Sequence, residues 1–199
     1  MSEVVITSKT KMTQGYCVGG YDLTSNSYVR LLESDGSNQP LNTQFEIGER
    51  WDITYALKQN ITPPHIEDVL ISARQYLDDI DDFSTFLQNT ITPSTGGVTT
   101  LFDLNLSFTN NFGPYINEAG IPRNSVGFWV IPKALNLVSN DGRNRYQIQG
   151  ERYNFPYVGV EPPISTIAAG TLVRVSLARW WSPYEDLEER CYMQLSGWY

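Results

Sequence analysis

Arg179-Trp180-Trp181 is the tripeptide in this chain best suited to touching another molecule. A guanidinium offers a planar face for stacking and a fork of donors for bidentate phosphate contact. Neighbouring residues on a strand point to opposite faces, so one indole can enter the core while the other faces outward. The outward indole would stack on a base or anchor a partner protein. The plainer alternative tucks both under the loop at Ser182-Pro183. Ten arginines against four lysines extend the theme. Lys9, Lys11, Tyr16 and Arg30 stand in the N-terminal half, and Arg143, Arg145, Arg152, Tyr153, Arg174 and Arg179 in the C-terminal half. Against a ligand role stands simple pairing with the 22 acidic groups.

Other clusters offer less. His65-Ile66-Glu67-Asp68 sets the only histidine beside two carboxylates. Metal sites need three or four ligands, so a structural histidine is the better reading and a hydrolase centre the remote one. Asp78-Asp79-Ile80-Asp81-Asp82 lacks the glycine and distal glutamate of a calcium loop and suits a solvated helix start. Glu185-Asp186-Leu187-Glu188-Glu189 reads as a solvated loop that repels nucleic acid or recruits a basic partner. Lys9-Thr10-Lys11 has no glycine cradle and no following helix, so it is not a P-loop. No triad or paired-carboxylate spacing is present, and we expect no enzyme, no cofactor and no metal.

The elements that must position these residues are mostly strands. Glu3–Ser8 is a β-branched run. Gly15–Leu23 alternates, Thr24–Ser27 carries turn chemistry, and Tyr28–Leu32 completes a hairpin. Arg50–Leu57 is a further strand, ended by Pro63-Pro64. Residues 65–77 fit a helix (Ile66, Val69, Leu70, Ala73, Leu77) and a buried strand equally. Residues 78–89 read as a short helix capped by Asp81 or Asp82. Residues 90–120 read as loop and irregular structure. Ser125–Ile131 is a strand, Asn140-Asp141-Gly142 a turn, and 146–155 a weak alternation about Gln149-Gly150-Glu151. At the end, Val173, Val175 and Leu177 share a face, as do Cys191, Met193 and Leu195. Matching phase predicts an antiparallel hairpin.

Composition agrees. Hydrophobic residues make up 41% and charged residues 18%, with 13% aromatic, 15 Gly and 11 Pro, which favours a turn-rich β protein. The net charge of −8 disfavours a broad phosphate-coating surface but leaves room for a local basic patch. No apolar run is long enough for a transmembrane helix, and the N-terminus lacks a signal-peptide core, so we expect a cytoplasmic protein with no membrane partner. Cys17 and Cys191 are expected as buried free thiols.

VVITSKTK with YCVGGYDL near the start, PPHIEDVLI in the middle, and SLARWW followed by ERCYMQLSGWY at the end resemble the prokaryotic dual OB-containing domain family. The resemblance runs through the whole chain. It implies an all-β protein of two OB-like β-barrels with minor α content. We place the first barrel at 1–78, a helical or irregular insertion at 79–124, and the second barrel at 125–199. The resemblance also implies binding of nucleic acid or a related ligand, in a bacterial conflict setting. OB barrels bind single strands with aromatic platforms and a basic groove. The expected function is therefore a non-enzymatic module for a single-stranded nucleic acid or nucleotide, using Lys9, Lys11, Arg30, Arg174, Arg179 and Trp181. The alternative is a protein–protein adaptor in a defence complex, which the acidic charge favours.

Overall fold

The computed structural model describes residues 1–140, 142–182, 184 and 187–199. Asp141 of the expected turn, Pro183 of the loop after the tryptophans, and Glu185-Asp186 of the acidic run lie outside the described residues. The chain divides into two compact units, 1–87 and 88–199.

In the first unit, β1 (Ser2–Lys11), β2 (Tyr16–Asp22), β3 (Ser27–Leu32), β4 (Glu49–Leu57) and β5 (Asp68–Asp79) close a barrel in the order β1-β2-β3-β5-β4. A register shift between Ile6 and Ser8 bends β1, whose first residues pair with β4 while the strand as a whole pairs with β2. Such bulges supply the curvature that closure demands. β3 and β5 run parallel, with Arg30 opposite Asp68. Val4, Ile6, Val18, Val29, Leu31, Phe45, Trp51, Ile53, Val69 and Ile71 fill the barrel. Gly15 turns at φ +83°, and a Cβ there would stand 2.0 Å from the Gln39 carbonyl oxygen, so only glycine fits.

The ambiguous segment 65–77 resolves as strand from Asp68 onward. Val69 and Ile71 are buried, and hydrogen bonding to β4 and β3 satisfies the backbone that a helix would otherwise satisfy internally. The helix expected over 78–89 starts later, as α1 (Phe83–Thr90), because Asp78 and Asp79 still belong to β5. Asp82 Oδ1 accepts the Thr85 N–H at 3.1 Å, which caps it.

Asp22 lies inside the first unit with no exposure. Burial raises its pKa, but hydrogen bonds from the Tyr55 hydroxyl and from Thr24 and Ser25 outweigh this and hold it below the usual carboxylate value. A carboxyl depressed on folding stabilises above its unfolded pKa, about 3.9, and loses that contribution as pH falls through the lower folded value. Asp22→Asn should therefore be less stable than the parent at pH 7, with the gap narrowing as the pH drops below about 4. Urea midpoints across that range measure it, and a gap that widens in acid contradicts the assignment.

The second unit holds β6 (Ser107–Phe108), β7 (Pro114–Ile116), β8 (Val126–Val130), β9 (Leu135–Asn140), β10 (Arg143–Ile148), β11 (Asn154–Pro156), β12 (Thr166–Ile167), β13 (Leu172–Leu177) and β14 (Cys191–Trp198). They form two sheets, β11-β10-β9-β12 and β6-β7-β14-β13-β8. The pairing repeats that of the first barrel. β8 and β9 act as one strand broken at 131–134: β8 pairs with β13 and β9 with β10. β10 pairs with β11, β13 with β14, and a parallel bridge from Tyr157 to Leu195 joins the two sheets. The terminal hairpin forms as its phase predicts, with Val173, Val175, Leu177, Cys191, Met193 and Leu195 all in the core. The chain is thus all-β with a single α-helix among the described residues.

The expected boundaries at 78/79 and 124/125 differ from the division at 87/88. The segment set apart as an insertion gives β6 and β7 to the second unit, where β7 pairs with β14 through Tyr115 and Ile116. Its strands are too short to show periodicity, so they read as irregular.

Cys17 and Cys191 are both free, and burial pushes the Cys191 thiol up to about 12. No helix among the described residues is long and apolar enough to cross a membrane.

Candidate functional site

Two hollows hold candidate residues. The one in the first unit, about 630 Å³, is lined by Thr13, Gly15, Arg30, Leu32, Asn38 and Pro40 among others. Among the described residues its only charged lining residue is Arg30, whose guanidinium already pairs with Asp68, Nε–Oδ1 at 2.5 Å and Nη2–Oδ2 at 2.6 Å.

The second unit carries a cleft of about 1310 Å³. β10, β11 and β14 line it through Arg145, Asn154, Pro156, Tyr192 and Gln194. The turn between β6 and β7 lines it too, through Asn110, Asn111 and Phe112, and so does the segment after β13, through Ala178, Arg179 and Trp181. Strand alternation explains the lining of β10. Tyr146 and Ile148 enter the core, so Arg143 and Arg145 share the opposite face. Residues two apart on a strand stand roughly 6.8 Å from each other.

Four arginines (Arg143, Arg145, Arg152 and Arg179) line this cleft, and no carboxylate does so among the described residues. Burial, and then repulsion from Arg143, lowers the Arg145 pKa, although a guanidinium stays charged. Its Nε donates to neutral Asn154 Oδ1 at 2.7 Å. The Arg152 guanidinium stands 5.2 Å from the centre of the Phe112 ring. Cations gathered on a concave face that no described carboxylate lines, with Arg145 partly desolvated and the others exposed, favour a bound anion.

Trp180 and Trp181 divide between core and surface, although both follow the end of β13, where an isolated bridge to Arg190 holds Trp181. Trp180 packs against the core, whereas Trp181 is 56% exposed. Backbone hydrogen bonds with Arg190 hold Trp181 in place, at 3.1 Å from its N–H and 3.0 Å to its carbonyl. Its ring centre lies 6.0 Å from that of Tyr192. An indole presented this way can accept a stacked ring.

Of the six expected binding residues, Arg179 and Trp181 line the cleft. The other four do not. Lys9 is 7% exposed, with Nζ 2.6 Å from Glu46 Oε1 and 4.8 Å from the Tyr16 ring centre. Lys11 is exposed at the end of β1. Arg30 is tied to Asp68. Arg174 is 6% exposed, and its Nη1 donates to Ser196 Oγ at 2.9 Å. His65, Glu67 and Asp68 are buried, and among the described residues no three metal-binding side chains converge. Phe112 and Tyr192 are cleft residues that the sequence patterns did not single out. Tyr192 was legible as the outward phase of β14, while Phe112 sits in a turn with no periodic signal.

No curated protein matches the chain. Solved structures that resemble it weakly include two that cover nearly all of this chain. One is described as "Structural mimicry for functional antagonism", with 12% identity over 98% of this chain and 87% of the other, at a TM-score of 0.36. The second is described as "Structure of murine DNA binding protein bound with ds DNA", with 12% identity over 98% and 92% at 0.32. Scores this low bear on neither fold nor function. The family comparison covers nearly the whole length, matching the dual OB-containing domain over residues 2–198. With one closed barrel and a second unit that repeats its strand pairing, this chain belongs to the dual OB-containing domain family.

Proposed function

We propose that the second unit binds a single-stranded nucleic acid in the arginine cleft, as a non-enzymatic module. The observation that carries the reading is a cleft lined by Arg143, Arg145 and Arg152 that no carboxylate lines among the described residues, in a chain of net charge −8. Phosphate contacts release counterions and supply affinity. Trp181 then contributes a platform that only unpaired bases can occupy, since paired bases keep their faces stacked. A bacterial defence setting belongs to the same proposal on the family resemblance alone, and a cytoplasmic location on the sequence expectation alone.

The test is a titration of labelled single-stranded DNA and RNA at two salt concentrations. Binding should weaken steeply with salt. Trp181→Ala should lose about 1–3 kcal/mol, the range for one base–aromatic stack, and Arg179→Ala should flatten the salt dependence. No binding at low salt, with a protein partner recovered instead, would replace this reading by the adaptor one.

A further inference from the structure

We propose that Phe112 is a second base-stacking platform, so that the cleft takes an oligonucleotide spanning Phe112 and Trp181 rather than a free nucleotide. The proposal rests on the nucleic-acid reading above and adds a binding residue and a ligand size to it.

Phe112 lies at the tip of the β6–β7 turn with φ +60°, a region that bulky residues seldom occupy. The turn is held there from several directions. The Phe112 N–H donates to the Thr109 carbonyl at 2.8 Å, and the Gly113 N–H to Thr109 Oγ1 at 3.0 Å. The Phe112 carbonyl accepts the Asn154 N–H of β11 at 3.3 Å, and Asn154 Nδ2 donates to the Asn111 carbonyl at 3.0 Å. This strained tip does not serve the core. Phe108, on the preceding strand, packs against the core cluster, while the Phe112 ring stays half-buried at the cleft. Tyr153 braces the ring edge-on, with centres 6.4 Å apart, and Arg152 adds its charge. Strain kept at a ligand-facing position fits a contact role better than a packing role. An aromatic ring beside a guanidinium is the usual station for an unpaired base.

Phe112 and Trp181 come from different segments, and each has its own ring partner, Tyr153 and Tyr192. Arg143 and Arg145 line the same cleft at strand spacing. Two stacking stations with a pair of phosphate-binding cations require nucleotides joined by a backbone. A cleft of about 1310 Å³ also exceeds the roughly 300–1,000 Å³ of sites for single small ligands.

The experiment compares thymidine monophosphate with oligothymidylates of increasing length, on the full chain at low salt. In the parent, affinity should climb with length until both stations are filled. Phe112→Leu keeps apolar bulk but lacks a π-face. It should lose about five- to hundredfold on a hexanucleotide and almost nothing on the monophosphate. Phe112→Tyr should restore the hexanucleotide affinity. A 2-aminopurine base scanned along the hexanucleotide should be quenched at two separate positions in the parent and at one in Phe112→Leu. The proposal is overturned if Phe112→Leu binds the hexanucleotide like the parent while Trp181→Ala does not, and the nucleic-acid reading then survives. If no oligonucleotide binds the parent at all, both fall.

Discussion

Replacing Arg143 and Arg145 together with Ala should weaken single-strand binding more than any other double change in the cleft, by about ten- to hundredfold at low salt. The two side chains share one face of β10, and burial plus mutual repulsion make Arg145 costly to keep charged without an anion. No carboxylate among the described residues pairs with either one. A phosphate would relieve that repulsion, so the pair gains more from the ligand than two isolated surface cations would. The signature lies in the salt dependence. Removing one phosphate-binding cation from a single-strand site should reduce the slope of log K against log salt by about 0.7, so the double variant should bind with a slope shallower by about 1.4. Fluorescence anisotropy at four or five salt concentrations measures it. An unchanged slope means that these arginines meet no phosphate. Stability should change little, because relief of the repulsion offsets the lost Arg145–Asn154 hydrogen bond.

Arg30→Ala tests the opposite assignment, and its expected effect is on folding. Arg30 and Asp68 are partners across the parallel β3–β5 pairing, and the Asp68 side chain is only 4% exposed. Removing the guanidinium leaves a buried carboxylate whose remaining cation, Lys58 Nζ, stands 3.8 Å away. Breaking such a pair from one side costs about 3–5 kcal/mol, whereas replacing both partners by apolar residues of similar size is often neutral. The first unit of Arg30→Ala should therefore unfold at markedly lower denaturant, and Arg30→Met with Asp68→Leu should recover most of the loss. If Arg30→Ala instead folds like the parent and loses oligonucleotide affinity, Arg30 is a ligand contact and the hollow in the first unit becomes a site.

These two results turn on the same physical point. Charge type and strand phase are local properties and can be read along the chain. The inward phase of Cys191, Met193 and Leu195 and the hairpin they form with β13 follow from alternation, whereas the split between Trp180 and Trp181, beyond the end of β13, does not. The fold class follows from turn-rich, aromatic composition and from the family motifs. The segment 65–77 was not decided locally, because its apolar residues satisfy both periods. Only the neighbouring strands β3 and β4 choose between them.

Which cations are available to a ligand is a non-local property. Lys9 meets Glu46 of the loop before β4, and Arg30 meets Asp68 through the β3–β5 register, across 37 and 38 residues of chain. Arg174 is drawn under the surface to Ser196, 22 residues away. Arg143, Arg145 and Arg152, equally plain in the sequence, come together in a concavity that no described carboxylate lines, because β10 turns one face outward beside the loop that follows it. Phe112 joins them through a turn pinned by Asn154. The sequence alone thus determined most of the strands, their buried faces and the family, since these rest on alternation and order along the chain. Only the tertiary structure decided which charges are neutralised by a partner, because ion pairing depends on distances between residues far apart in the chain.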